Sequence, residues 1–171
     1  DIIEMLRDIG DEFINVLAVN SDGTPSDNQV TIGDIVRKPV PTKDVFEGLI
    51  SLLASSGYQE NTDLFVFPYD WRLDIRTSSV SLKNKIDAIK DQTGASKADI
   101  IAHSMGGLLT KQYILDNGSA SVNKLVFIGT PHLGAPLSAK ALLWGDNLSV
   151  KLIFPFLDPE RIRYISQNMP A

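Results

Sequence analysis

With 171 residues, 43% hydrophobic and 22% charged, the chain has the composition of a globular domain with apolar residues enough for a real core. A formal net charge of −5, with no lysine/arginine run, argues against a nucleic-acid binder. The lack of cysteine excludes disulfides, thiolate nucleophiles and cysteine metal sites, and no apolar run approaches the ~18 residues of a membrane span.

In chain order, Ile2, Met5, Leu6 and Ile9 share one helical face, which Gly10 ends. Asp1 stands where a methionine is usual, so the chain reads as a processed or excised piece. Phe13 to Val19 is apolar enough for a strand, and 20–28 is a loop by composition. Val30 to Val36 alternates loosely, as a returning strand would. Lys38-Pro39-Val40-Pro41 is an extended connector, because each proline pushes the preceding residue out of the helical region. These first 40 residues form an irregular N-terminal part.

A regular core is expected over 41–136. Val45, Leu49, Leu52 and Leu53 make a helical stripe, with Asp44 and Glu47 at capping-box spacing and Gly57 beyond its end. Asp63 to Phe67 reads as a buried strand, with Pro68-Tyr69-Asp70-Trp71-Arg72 at its C-terminal end. Leu82, Ile86 and Ile89 mark a second helix, closed by Gly94. Ala98 to His103 is a buried strand. Leu108, Leu109, Gln112, Tyr113 and Leu115 follow at helical spacing, stopped by Gly118. Val122 to Ile128 is another buried strand, leading into Gly129-Thr130-Pro131-His132-Leu133-Gly134-Ala135-Pro136. The tail, 137–171, reads as loosely helical. Leu142, Leu143, Trp144, Phe154, Phe156 and Leu157 suit either a lipid-facing lid or core packing. The alternation of helices and strands predicts βαβ crossovers and a parallel sheet covered on both faces, with ligands bound outside the carboxyl ends of the strands.

Ala102-His103-Ser104-Met105-Gly106 is the stretch that carries chemistry. It matches the G-x-S-x-G nucleophile elbow with alanine in the first glycine place. A strained strand-to-helix turn exposes the serine Oγ, and small residues two before and two after let the two backbones approach. Ser104 is therefore the candidate nucleophile. The N–H of Met105, at the start of the helix, is the candidate oxyanion donor.

These blocks resemble the lecithin–cholesterol acyltransferase-like family of α/β-hydrolases. The resemblance rests on Phe67-Pro68-Tyr69-Asp70-Trp71-Arg72, on 102–107 and on 129–136, in that order and approximate spacing, and it covers Val45 to Pro136 best. It implies a three-layer α/β-hydrolase, incomplete at both ends. It also implies a serine esterase, lipase, phospholipase or acyltransferase working on lipid or other hydrophobic esters through an acyl-serine intermediate. Tyr69, Asp70, Arg72 and His132 then fall at the active edge as substrate-pocket candidates.

The triad in such a fold runs serine, acid, histidine. After Ser104 the histidine is His132, in a block that does not supply the family's base, and the acid between them is Asp116, at a helix end. The triad acid and base are expected outside these residues, and the second oxyanion donor upstream of Asp1, so the isolated chain is expected to turn over little. His103 is expected to face away from Ser104 as a packed, hydrogen-bonded residue, and Asp99 to be a turn residue. His103 and His132 lie too far apart in sequence, without ligand-spaced carboxylates, to suggest a metal, and no cofactor is implied. The expected partners are a lipid or ester substrate, a lipid surface, and a second copy paired through open sheet edges. The alternative is a non-catalytic hydrolase-like module that binds a hydrophobic ligand or a partner subunit.

Overall fold

The computed structural model describes residues 16, 18–20, 22–25, 30–35, 37–38, 44–145 and 159–167. The expected helix over 2–9, most of the expected strand over 13–19 and the 39–41 part of the proline connector lie outside them, as do 154, 156 and 157. Residues 30–35, expected as a strand, have no regular secondary structure.

Helix α1 spans Glu47–Ser55. Asp44 serves its start, but not as the N-cap: its carboxylate accepts the Gly48 N–H at 3.0 Å. Ile50 is its buried residue. Val45 and Leu52, from the expected stripe, are exposed. Helix α2, Ile75–Thr93, begins at Asp74, whose side chain accepts the Arg76 N–H at 2.7 Å, an N-cap not anticipated from the spacing. It ends where Gly94 turns left-handed.

Strand β1, Ala98–His103, helix α3, Met105–Asn117, and strand β2, Val122–Ile128, form one parallel βαβ unit. The ladder pairs Ile100 with Leu125, Ile101 with Val126, and His103 with Ile128, with an irregularity at Ala98/Asp99. Asn123 sits at that irregularity and donates to the Asp99 carboxylate at 2.7 Å. Asp99 is thus a strand residue with a cross-strand partner and not a turn residue. Helix α4 is Pro136–Trp144 and helix α5 is Pro159–Gln167, and the two pack on each other.

The segment 63–67 corrects the expectation of a buried strand. Leu64 makes one isolated bridge to Glu60, and 65–67 are half-buried without a ladder. A strand exists only when a neighbour takes up its N–H and C=O groups. Among the described residues no strand lies in register with this segment.

The core lies between α2, α3 and one face of the sheet. Leu82, Ile86, Leu109, Tyr113 and Val122 form its centre, with Phe67, Tyr69, Ile75, Ile100, Ile114 and Leu125 packed around them. Leu115, expected on the buried stripe of α3, is exposed, while Thr110 is buried and returns its hydroxyl to the Gly106 carbonyl at 2.8 Å. The strands also depart from expectation. Ala102 and Val122 are buried, but Ile101, Val126, Phe127 and Ile128 are 40–49% exposed. Apolar residues on both faces predict two covering layers. Among the described residues one layer is present.

Candidate active site

Ser104 joins β1 to α3 with φ 52° and ψ −127°. Among the described residues only Asn61 shares a positive φ without being glycine. Such a backbone costs about 1–3 kcal/mol and persists only where surrounding structure enforces it. The enforcement is visible: the Ser104 N–H donates to Ile128 O at 2.9 Å, at the end of β2, and its carbonyl accepts the Gly107 N–H at 3.0 Å.

Ser104 occupies the N-cap position of α3 but its side chain makes no capping bond. A serine cap is usually worth about 1 kcal/mol to a helix. Here Ser104 is half-buried at the carboxyl end of β1, and its Oγ makes no hydrogen bond among the described residues. The Met105 amide opens α3 and donates to no backbone carbonyl among the described residues. Helix starts carry unsatisfied N–H groups and partial positive charge, so an oxyanion formed beside Ser104 finds a donor there.

Tyr69 stacks on Phe67, ring centroids 6.1 Å apart, and its hydroxyl lies 3.8 Å from where a side chain at Gly106 would begin. Burial pushes that hydroxyl above the ordinary phenol range, so it stays a protonated donor at neutral pH. Tyr69 therefore lies against the first turn of α3. Asp70 and Arg72 are engaged with each other. Arg72, 0% exposed, donates to the Asp70 carboxylate through Nε at 2.9 Å and Nη2 at 2.6 Å, and to Val16 O through Nη1 at 3.1 Å. The Asp70 carboxylate also accepts the Arg72 N–H at 3.1 Å. The guanidinium holds the Asp70 carboxyl below the usual carboxylate range. The pair shapes the 68–73 turn and ties it to the N-terminal part.

His132 is exposed; its ring meets Phe127 edge-on at 4.7 Å and its backbone N–H donates to Thr130 O at 2.9 Å. No hydrogen bond joins it to Ser104. His103 corrects the expectation of a packed, hydrogen-bonded residue: it is exposed and meets the Phe46 ring edge-on at 5.5 Å. Asp116 is engaged by Gln112 at 2.8 Å and Ser79 at 3.4 Å. It lies roughly 18 Å from Ser104 along the axis of α3, out of reach of a triad role. Among the described residues no cluster of histidines and carboxylates fits a metal ion.

Two features escaped the sequence. Thr130 packs against Gly107, and Arg37 joins Asp34 at 3.0 Å and Glu60 at 2.7 Å, bridging the N-terminal part to the turn that follows α1. The paired glycines 106 and 107 hinted at a close approach, but nothing in their spacing named the residue that approaches. A shallow groove of about 520 Å³ lies on α2 and α3 beside Ile75, Arg76, Leu108, Lys111 and Leu115. Ser104, Tyr69 and His132 do not line it.

Comparison with known proteins identifies the family of the chain. The family model described as lecithin:cholesterol acyltransferase matches residues 35–171. The phospholipase A(1) LCAT3 of Arabidopsis thaliana is 36% identical over 96 residues, covering 53% of this chain and 22% of the relative. Lecithin-cholesterol acyltransferase-like 4 of the same plant is 31% identical over 96 residues, 53% of this chain and 18% of the relative. Its phospholipid:diacylglycerol acyltransferase 1 is 29% identical over 143 residues, 70% of this chain and 21% of the relative. The chain thus spans about a fifth of the length of these relatives. No solved structure matches it. The chain belongs to the lecithin:cholesterol acyltransferase family.

Proposed function

We propose that these residues form the nucleophile-bearing core of a three-layer α/β-hydrolase that acts on lipid esters by covalent acyl transfer. The observation that carries this reading is the backbone of Ser104: a left-handed serine at a strand-to-helix turn, uncapping its own helix so that Oγ stays unengaged. Strain of this kind is retained where it serves a site. The names of the relatives, a phospholipase A(1) and a phospholipid:diacylglycerol acyltransferase among them, support a glycerolipid ester as substrate.

In the proposed reaction a base outside these 171 residues takes the Ser104 hydroxyl proton as Oγ attacks the ester carbonyl. The Met105 N–H and a second donor hold the oxyanion. Collapse expels the alcohol part of the lipid, which leaves with the proton held by the base. The acyl-serine is then resolved by water or by an alcohol, whose proton passes to the base. Tyr69 and His132 line the acyl pocket, while Asp70 and Arg72 shape its wall. The division into 1–40, 41–136 and 137–171, with the last part opening a cap, belongs to the same reading. So does contact with a lipid surface, supported by the exposed Leu137, Leu143 and Trp144 of α4.

The test is covalent labelling by a fluorophosphonate in the natural full-length polypeptide, followed by turnover of a phospholipid. Labelling confined to Ser104 and lost in Ser104→Ala is expected, with activity falling to the weak residue left without the nucleophile. Labelling elsewhere, or turnover unchanged in Ser104→Ala, sinks the reading. The isolated 171 residues are expected to turn esters over little or not at all. The open apolar face at Ile101, Val126 and Ile128 favours one second reading, a hydrolase-like module that pairs through the sheet. That reading predicts no labelling at Ser104 and association that grows with concentration.

A further inference from the structure

Thr130 has an unusual setting. Its Oγ1 is the one buried side-chain polar atom without a hydrogen-bond partner among the described residues. Its side chain fills the space left by the missing side chain of Gly107. A Cβ built on Gly107 would overlap Thr130 Oγ1 and would lie 2.6 Å from Cγ2 and 2.8 Å from Cβ. Rotating the threonine does not relieve this overlap, because its Cβ, fixed by the backbone, is itself too close. Among the described residues the side chain is thus located by shape, with no hydrogen bond to hold it.

The contact closes a small ring. Ser104 N–H donates to Ile128 O, and Gly129 turns with φ 59° so that Thr130 meets Gly107. The Gly107 N–H then returns to Ser104 O. Anything that moves Thr130 away from α3 therefore acts on both hydrogen bonds that enforce the Ser104 backbone.

We propose that Gly107 and Thr130 form a steric lock that fixes the end of β2 against the first turn of α3, making Thr130 a positioning residue for Ser104. This rests on Ser104 being the nucleophile. Thr130 acts through its volume and touches no reacting atom.

The experiment measures fluorophosphonate labelling of Ser104 together with the melting temperature, in the full-length polypeptide. Alanine is a better helix former than glycine, so without a lock Gly107→Ala raises the melting temperature and leaves labelling alone. With the lock, Gly107→Ala lowers both, and labelling slows by up to about 10²-fold, the scale of an ångström-level misplacement. Adding Thr130→Gly to Gly107→Ala reopens the space and recovers about tenfold or more, the non-additivity expected of residues in contact. Thr130→Val keeps the shape and the labelling rate, whereas Thr130→Leu overfills the space and slows labelling without altering α3. Gly107→Ala labelling at the wild-type rate, or Thr130→Val as slow as Thr130→Leu, overturns the lock. Should Gly107→Ala fail to fold, recovery of folding in the double variant supports the lock and its failure overturns it. A wild type that is not labelled at Ser104 refutes the nucleophile, and the melting temperatures of the same variants still decide the lock.

Discussion

The two faces of the β1–β2 sheet carry similar residues in different surroundings. One face holds Ile100 and Leu125 against the core of Leu109 and Tyr113, with Ala102 buried beside them and Phe127, at the strand end, 40% exposed. The other holds Ile101, Val126 and Ile128, which are 42–49% exposed. The residue types do not distinguish them; the helices laid across one face do. Helix α4 repeats the lesson. It is as rich in leucine as α3 yet has no buried residue, because α5 is its packing neighbour, whereas α3 lies on the core. Apolar composition states what can be buried, and burial needs a partner surface.

The difference between the faces can be broken by mutation. The largest effect belongs to a buried pair outside the sheet, Arg72 enclosed with Asp70 in the 68–73 turn. Asp70→Ala leaves a buried guanidinium without its carboxylate and is expected to cost about 3–5 kcal/mol in denaturant unfolding. The same pair sets a pH dependence. The Asp70 carboxyl is depressed in the folded state by its hydrogen bonds with Arg72, so its contribution is complete above the unfolded carboxylate range. It is lost as pH falls through the lower folded value. Asp70→Asn is expected to flatten the acid limb of a stability-against-pH curve; an unchanged limb would place the acid sensitivity elsewhere.

Leu109, 1% exposed in the core centre, comes next. Leu109→Ala is expected to cost about 2–5 kcal/mol through lost transfer energy and a residual cavity. Ser104→Gly has the opposite sign: it relieves the left-handed backbone and is expected to raise stability by about 1 kcal/mol while abolishing labelling. A loss of stability there would mean that the Ser104 side chain holds the turn. Ile101→Ala, on the open face, is expected to change stability least, within about 1 kcal/mol. If it instead costs as much as Leu109→Ala, the second face is covered in the protein in solution, and the sheet is packed on both sides as its apolar pattern predicts.

Much of the local structure was legible in the residues. Gly94 ends α2 because backbone conformation at a cap is set by a few adjacent residues, and Ser104 marks the elbow by the small residues that flank it, while its strained backbone is enforced from β2. The βαβ unit was legible too, because two short apolar runs flanking a helix leave a parallel pair as the economical solution. The expected strand at 63–67 was legible as an apolar run only, since its ladder depends on a neighbour that no local pattern specifies.

Of the candidate site, the elbow pattern singled out Ser104 and Met105, and position at the carboxyl ends of the expected strands added Tyr69, Asp70, Arg72 and His132. How these side chains are used was decided by tertiary structure. Arg72 became a buried anchor because Val16, distant in sequence, brings a carbonyl to it. His103 stayed exposed because the face it shares with Ile101 carries no covering layer among the described residues. Thr130 found Gly107 because β2 ends beside the first turn of α3. Where the chain turns and where Gly94 caps a helix could be read from the residues alone, because those depend on neighbours along the backbone. Which apolar residues are buried, which polar groups are paired and what holds Ser104 in its strained turn depend on segments brought together from far along the chain, so they emerge only in the folded molecule.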